Sequence, residues 1–352
     1  MPEALVVHQP LDLGAVAQEL EGLNQRAVDF EHASLSPNTR EAYRRIWPRF
    51  ERWCTRRGLC ALPASPDTVR LYATAAVEVG IEHQDGTPAS KPLGVRSLTV
   101  HLATIAFVHG MLDHPNPVED LPKRFRKGLR RAKGKPPVKK TWLSTAQILE
   151  TLVDLRTDLK GIRDRAILLV AFGSGGRRRS EMTEMAREDL RRLDGGAWLW
   201  TIPKSKTDQE GEGFRVVIPK LPDEAVCPAS ALSAWLAASG IEAGPVFRYV
   251  DRHGNVRGGV GAQPRVVAEV VKAAVRRLGL DPKEYAGHSL RSGFATSMAK
   301  EGLRVEDIMK KTGHTSLRTV MGYIHEGQAL AEDDPVKSAL GRGWARRQTD
   351  DG

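Results

Sequence analysis

Cysteine is scarce: Cys54, Cys60 and Cys227 are the only three in 352 residues. An odd, sparse set argues against a disulfide framework. Cys54 and Cys60 lack CxxC spacing and no His pair completes a zinc site, so all three read as reduced thiols. Aromatics make up only 6% of the chain, which leaves Leu, Val, Ile and Ala to fill the cores. No stretch reaches the roughly 18 to 20 continuous apolar residues that span a bilayer. The opening MPEALVVHQPLDL lacks the basic start and long apolar run of a secretory signal. Gly173-Ser174-Gly175-Gly176 is not followed by the GK[ST] of a phosphate loop, so nucleotide binding is not expected. These absences predict a cytoplasmic chain with no membrane segment, no metal and no cofactor.

Positive charge, by contrast, is in excess and unevenly spread. The net charge is +10, yet residues 1–35 hold six acids against one base, Arg26. Residues 121–140 hold ten Lys or Arg and no acid. Such a block binds a polyanion or is a solvated linker. Nucleic acid is the leading partner, because affinity for its backbone comes largely from such cations.

The length exceeds one typical domain and suits two. Residues 1–35 read as an acidic tail with room for one helix over 11–30. Ser36-Pro37 is a helix start, with Ser as N-cap and Pro in the first turn. Tyr43, Ile46, Trp47, Phe50 and Trp53 follow at helical spacing, and Gly58 closes the helix. Further helices are predicted over 66–79, 95–112 (with Leu98, Leu102 and Ile105 inward) and 117–132. No strand pattern interrupts 36–133, which predicts an all-helical domain. Gly134-Lys135-Pro136-Pro137 then breaks the helix and opens a basic linker over 134–141. A second domain, 142–328, begins with a capping box, Ser144 and Gln147. It carries helices near 144–159 and 163–172, then strands 198–202 and 214–218 joined by a polar loop holding Lys204 and Lys206. Helices near 229–239, 264–278, 289–301, 305–312 and 316–325 complete it. The pattern is mainly α, with a small antiparallel sheet in an α-rich, mixed α+β second domain.

Five pieces of the second half carry chemistry. Gly176-Arg177-Arg178-Arg179-Ser180-Glu181 sits at a turn into a helix. Lys206 lies in a hairpin. His288-Ser289-Leu290-Arg291 opens a helix and puts His288 and Arg291 on one face, three residues apart. Gly313-His314 precedes the last helix, and Val320-Met321-Gly322-Tyr323-Ile324 lies late in it. Singly each piece is ordinary: the arginine run is a solvated face, Lys206 a loop lysine, Tyr323 a packed or surface ring. His101, His109 and His114 have no ligand partners and read as structural or surface residues. It is the order and spacing of the five pieces together, within a basic two-domain chain, that chance does not explain.

In that order and spacing the sequence resembles the tyrosine recombinase, or phage integrase, family over about residues 36–340. The segment SPNTREAYRRIWPRFERWC at Ser36 is similar to that family's helical core-binding (SAM-like) domain. Arg177 departs from the family pattern, standing where an apolar residue is usual; Ser180-Glu181 still fixes Arg178 as the matching arginine. The resemblance implies a two-domain clamp on double-stranded DNA. It also implies that Tyr323 attacks the scissile phosphate to form a 3′-phosphotyrosine, and that Arg178 and Arg291 bind its non-bridging oxygens. Arginine suits that task because its fork meets two oxygens and keeps its proton. Lys206 would protonate the departing 5′ oxygen, and His288 would act as acid or base near the nucleophile. His314 would donate to the phosphate, and Glu181 would orient its neighbours. A free phenol has a pKa of about 10, so the site's cations must favour phenolate.

On the DNA side, Lys123, Arg124, Arg126, Lys127, Arg130 and Arg131 are expected on phosphates, which position without reading sequence. Arg265, near the start of the 264–278 helix, is the candidate for a base contact. Residues 329–352 form a tail whose one helix would dock on a neighbouring subunit in a homo-tetrameric ring, or fold back on its own domain. The implied activity is cofactor-free exchange of strands between two inverted-repeat sites through a Holliday junction. The rivals are a type IB topoisomerase and a non-catalytic DNA-binding regulator.

Overall fold

The computed structural model of the chain describes residues 34–83, 87, 91–135, 140–203 and 213–329, together with seven helical positions between 18 and 30. The chain forms two compact units, Met1–Pro137 and Val138–Gly352.

The described part of the first unit is helical throughout. Its four helices after residue 34 are α1 (Pro37–Thr55), α2 (Pro66–Glu78), α3 (Val95–Met111) and α4 (Lys123–Lys133). Ser36 and Ser65 cap α1 and α2 by accepting the backbone N–H of Thr39 and Thr68, and each stands before a proline at the first helical position. That pairing satisfies a donor the helix cannot and presets φ for the first turn. Phe50, Trp53, Tyr72, Leu98, Ile105 and Leu121 interlock in the core. His101 and His109 are structural. The Nδ1 of His101 lies 2.6 Å from the Tyr72 hydroxyl. His109 Nε2 accepts from Ala64 N–H at 2.9 Å, so its Nδ1 carries the proton donated to Ile105 O at 2.8 Å. The fourth helix starts at Lys123 rather than near Pro117. Asn116 Oδ1 accepts from Val118 N–H and holds a turn there, and Leu121 precedes Pro122, whose ring disfavours helix at the residue before it.

The second unit opens with α5 (Thr145–Val153), started by the Ser144–Gln147 capping box. This helix stops at Val153 because Asp158 caps a new one, accepting Gly161 N–H at 2.9 Å. The new helix, α6 (Leu159–Gly173), is the centre of the unit, with residues 166–171 all buried. A turn leads to the short α7 (Arg179–Glu184). Three antiparallel strands follow in the order β1 (Leu190–Arg192), β2 (Trp198–Ile202) and β3 (Phe214–Ile218). In β2, Trp198, Trp200 and Ile202 point inward by strict alternation. The expected strands are β2 and β3, in register from Trp198↔Ile218 to Ile202↔Phe214. Neither β1 nor a second hairpin, β4 (Arg248–Val250) with β5 (Val256–Gly261), is among the expected strands. Helix α8 (Pro228–Ser239) packs on α6, and α9 (Pro264–Arg277) buries one face through Val267, Val270, Val271 and Ala274. The chain then runs through α10 (His288–Lys300), α11 (Val305–Thr312) and α12 (Leu317–Ala329). A small separate core of Ala295, Ile308, Val320 and Ile324 binds these last three helices together. No described helix is long and apolar enough to cross a membrane.

Candidate active site

The site begins at the turn between α6 and α7. Gly175 and Gly176 both have positive φ, +99° and +70°, which glycine alone adopts without strain. A Cβ on Gly176 would lie 2.3 Å from Arg291 Cα, so this glycine also lets the turn lie directly against α10. The turn delivers three arginines to three environments. Arg179 is exposed, Arg178 is half-buried and Arg177 is buried. Glu181, 4% exposed, holds Arg178 by accepting its Nη1 at 2.6 Å and its backbone N–H at 3.0 Å. The carboxylate thus orients the arginine rather than facing solvent.

Arg291 enters from the first turn of α10 and is 1% exposed. Its Nε donates to His314 Nε2 at 3.1 Å and its Nη1 to Gly176 O at 3.3 Å. Its Nη2 is buried without a partner among the described residues. Burial, then the neighbouring charges of Arg177 and Arg178, press its pKa down to about 10, which still leaves it charged at neutral pH. His314 follows Gly313, whose left-handed φ of +70° ends α11. Thr312 Oγ1 gives its one proton to Ile308 O at 2.8 Å, so it accepts from His314 Nδ1–H at 2.7 Å. That tautomer leaves Nε2 to accept from Arg291. Burial first, then Arg291 and Arg178, hold the His314 pKa down to about 3. As placed, His314 has its Nδ1–H taken up by Thr312 and its Nε2 by Arg291, so it orients Arg291.

Tyr323 stands at the midpoint of α12, because the helix continues to Ala329 rather than ending near 325. Val320 and Ile324 anchor α12 on α10, and Thr296 Oγ1 donates to Tyr323 O at 3.1 Å. This seating brings the Tyr323 hydroxyl to 2.7 Å from His288 Nε2. The pKa of His288 is lowered by desolvation and then by Arg291, Arg178 and Arg179. The imidazole is therefore neutral near pH 7 and able to accept the phenol proton. Five of the six expected catalytic residues, Arg178, His288, Arg291, His314 and Tyr323, thus gather at the contact of α7, α10 and α12. Lys206, the sixth, lies outside the described residues, as does the tail beyond 329. What the sequence did not reveal is Arg177, which is buried inside the site rather than part of a solvated run.

Of the residues expected on DNA, Lys123, Arg126, Lys127, Arg130 and Arg131 line one open groove of about 490 Å³ on α4. Arg124 is exposed on the same helix but does not line it. Phe125 and Leu129 pack on the core, so α4 presents its charge outward. Arg265 is exposed and donates through Nε to Glu269 one turn later at 2.6 Å. It lines a groove of about 510 Å³ with Tyr249, Arg257 and Gln263. Among the described residues, no three His, Cys, Asp or Glu side chains gather to hold a metal ion.

Comparison with known proteins agrees with this geometry. The phage integrase family pattern matches residues 141–329. The integrase/recombinase xerD homolog of Selenomonas ruminantium is 32% identical over 319 residues, covering 89% of either chain. Recombinase cre of Escherichia phage P1 is 24% identical over 347 residues, covering 92% of this chain and 95% of that one. In fold, the chain is similar to a Tn1549 transposon integrase in complex with transposon right end DNA. The TM-score there is 0.55 at 16% identity, over 88% of this chain and 94% of the other. It is also similar to a lambda integrase dimer bound to a core site, with a TM-score of 0.53 at 16% identity over 89% and 96%. With the family pattern spanning the whole arginine, histidine and tyrosine constellation, the chain belongs to the phage integrase family and is an enzyme of the tyrosine recombinase class.

Proposed function

We propose that this enzyme performs site-specific recombination on double-stranded DNA, cutting and rejoining strands through a phosphotyrosine at Tyr323. The observation that carries the reading is the pairing of two features at one site. A tyrosine hydroxyl is hydrogen-bonded to a neutral imidazole, and a buried arginine nearby keeps Nη2 unpaired. A buried cationic donor without an acceptor is costly, and a phosphate oxygen would complete it.

The steps follow from the groups present. His288 accepts the Tyr323 proton as the phenol oxygen forms its bond to phosphorus. The bond from phosphorus to the 5′ oxygen breaks, and that oxygen leaves with a proton, for which Lys206 is the proposed donor. Negative charge growing on the non-bridging oxygens meets Arg291 and Arg178, a preorganised pair that needs no reorientation as the charge develops. The 3′ strand is then held as a phosphotyrosine ester. Attack by a 5′ hydroxyl from a second duplex forms the new phosphodiester and returns the proton to the phenol. Bond energy is conserved in the ester, so the two transfers balance without a further reactant. Two inverted-repeat sites, exchange through a Holliday junction and a homo-tetramer acting on cytoplasmic, nucleoid DNA complete the proposal. The exposed cations of α4 would rest on phosphates. Arg265 would have to leave Glu269 to reach a base, a small cost for an exposed ion pair.

The test is covalent capture. The wild-type protein selects its site from random-sequence duplex DNA, and a nicked duplex bearing that site is then incubated with it. A denaturation-stable protein–DNA adduct is expected, and Tyr323→Phe is expected to lose it while keeping its affinity for the duplex. Binding with no adduct in the wild type would leave only a DNA-binding regulator. Efficient relaxation of a supercoiled plasmid lacking the site would mark a topoisomerase instead.

A further inference from the structure

Arg177 is the one site residue that the family pattern does not ask for, and its placement is hard to explain by stability. The side chain is 2% exposed, and its Nε has no partner among the described residues. Its nearest carboxylate oxygen, Glu181 Oε2, is 3.9 Å away, whereas Arg178 holds the same carboxylate at 2.6 Å. Burying a cation so loosely paired costs free energy that a leucine of similar reach would avoid. Burial pushes its pKa down to about 10, yet the group remains charged at neutral pH.

What Arg177 does make is a set of links converging on Arg291. Its Nη2 donates to Lys311 O at 2.7 Å. That carbonyl belongs to the last turn of α11, where helix carbonyls have no partner of their own, and it lies three residues before His314. The Lys311 ammonium donates to Val217 O of β3 at 2.6 Å, fixing the same turn from the other side. The Arg177 guanidinium also lies over the Phe214 ring, 5.2 Å from its centre, and a Cβ placed on Gly313 would lie 3.6 Å from that ring. On the other flank, Arg177 directly follows Gly176, whose carbonyl accepts Arg291 Nη1. Arg291 is therefore strung between two acceptors, Gly176 O and His314 Nε2, and Arg177 is attached to the segment carrying each.

We propose that Arg177 is a positioning residue for Arg291, locking the turn at Gly176 and the end of α11 together so that Arg291 keeps Nη2 available for the scissile phosphate. An apolar residue at 177 could fill the space but could not hold Lys311 O. The proposal rests on the strand-transfer reading above.

The experiment compares wild type, Arg177→Leu, Arg177→Met and Arg177→Lys on the nicked duplex carrying the selected site. Three quantities are read: thermal unfolding, affinity for the duplex, and the single-turnover rate of adduct formation at saturating protein. Arg177→Leu and Arg177→Met are expected to unfold no lower than wild type and to bind equally well. Their adduct formation is expected to fall about 100-fold, the scale of a misplaced catalytic group. Arg177→Lys, which keeps a charged donor, is expected to recover part of that loss. A purely structural arginine would lower stability and affinity along with rate. Adduct formation at the wild-type rate in both apolar variants, or failure of both to fold, would overturn the assignment while leaving the recombinase reading intact. A wild type that never forms the adduct would overturn both.

Discussion

The hydrogen bond between His288 and Tyr323 sets a direction for proton flow, and that direction depends on which form the imidazole takes. His288 faces three arginines, Arg178, Arg179 and Arg291, and after desolvation these are what disfavour its protonated form. Its folded pKa therefore lies below the usual 6.5, and the neutral ring that can accept the phenol proton persists below that pH. The adduct-forming rate is expected to hold as pH drops from 8 to 6.5 and to decline only at more acid values. His288→Ala is expected to lose about 100-fold in rate, the lower range for a positioned base, and to lose the acid decline with it. Single-turnover rates between pH 5 and 9 check both. A decline centred at or above pH 6.5, or one that survives in His288→Ala, would show that another group takes the proton. At this scale the gathering of Arg178, His288, Arg291 and Tyr323 was legible through the motifs whose order the chain shares with the family it resembles. Arg177 was not, since three successive arginines read as solvent-facing unless the fold turns one inward. The place of His314 was legible, its hydrogen-bond partners were not. Nothing in a sequence shows that Thr312 takes up its Nδ1–H.

Among the elements, the turn between α6 and α7 is where local conformation and catalysis meet. Gly176 combines a left-handed φ of +70° with a Cβ position 2.3 Å from the Arg291 backbone. A side chain at the contact could swing aside, whereas a backbone atom moves only if α10 moves. Gly176→Ala is therefore expected to cost about 1–3 kcal/mol from backbone strain alone. It is also expected to slow adduct formation about 100-fold as Arg291 shifts. Urea unfolding and adduct kinetics on the same preparation check the pair. A variant as fast and as stable as wild type would mean that the turn and α10 can separate freely. Caps and periodicity made most helices readable: Ser36 and Ser144 both cap where their hydroxyls suggested. Strands β2 and β3 were readable through the alternation of Trp198, Trp200 and Ile202. Strand β5 was not, because VRGGVG has neither alternation nor a buried face, and its pairing with β4 comes from tertiary contact. The break at residues 154–158 was missed because the capping role of Asp158 outweighs the helical periodicity around it.

Over the whole molecule, the cations of the catalytic turn and those of α4 differ in exposure. Arg177 and Arg178 of the catalytic turn are buried and half-buried, while Arg179 and, on α4, Lys127, Arg130 and Arg131 are exposed, the last three lining one groove. Lys133, on the same helix, is already paired with Glu78 at 2.9 Å, so it contributes less free charge. If the α4 cations rest on phosphates, each releases condensed counterions on binding, and affinity falls with salt at a slope of about 0.9 per contact on duplex DNA. Replacing Lys127, Arg130 and Arg131 together by glutamine is then expected to make the slope of log affinity against log salt shallower by about 2.7. The loss should be the same on the selected site and on an unrelated duplex, because phosphate contacts carry no sequence information. Titrations from 50 to 300 mM salt on both duplexes measure this directly. At saturating protein the adduct-forming rate should be unchanged, since phosphate contacts position the duplex and supply no reacting group. An unchanged slope would place the phosphate grip elsewhere on the surface, and a loss confined to the selected site would make α4 a reader of sequence.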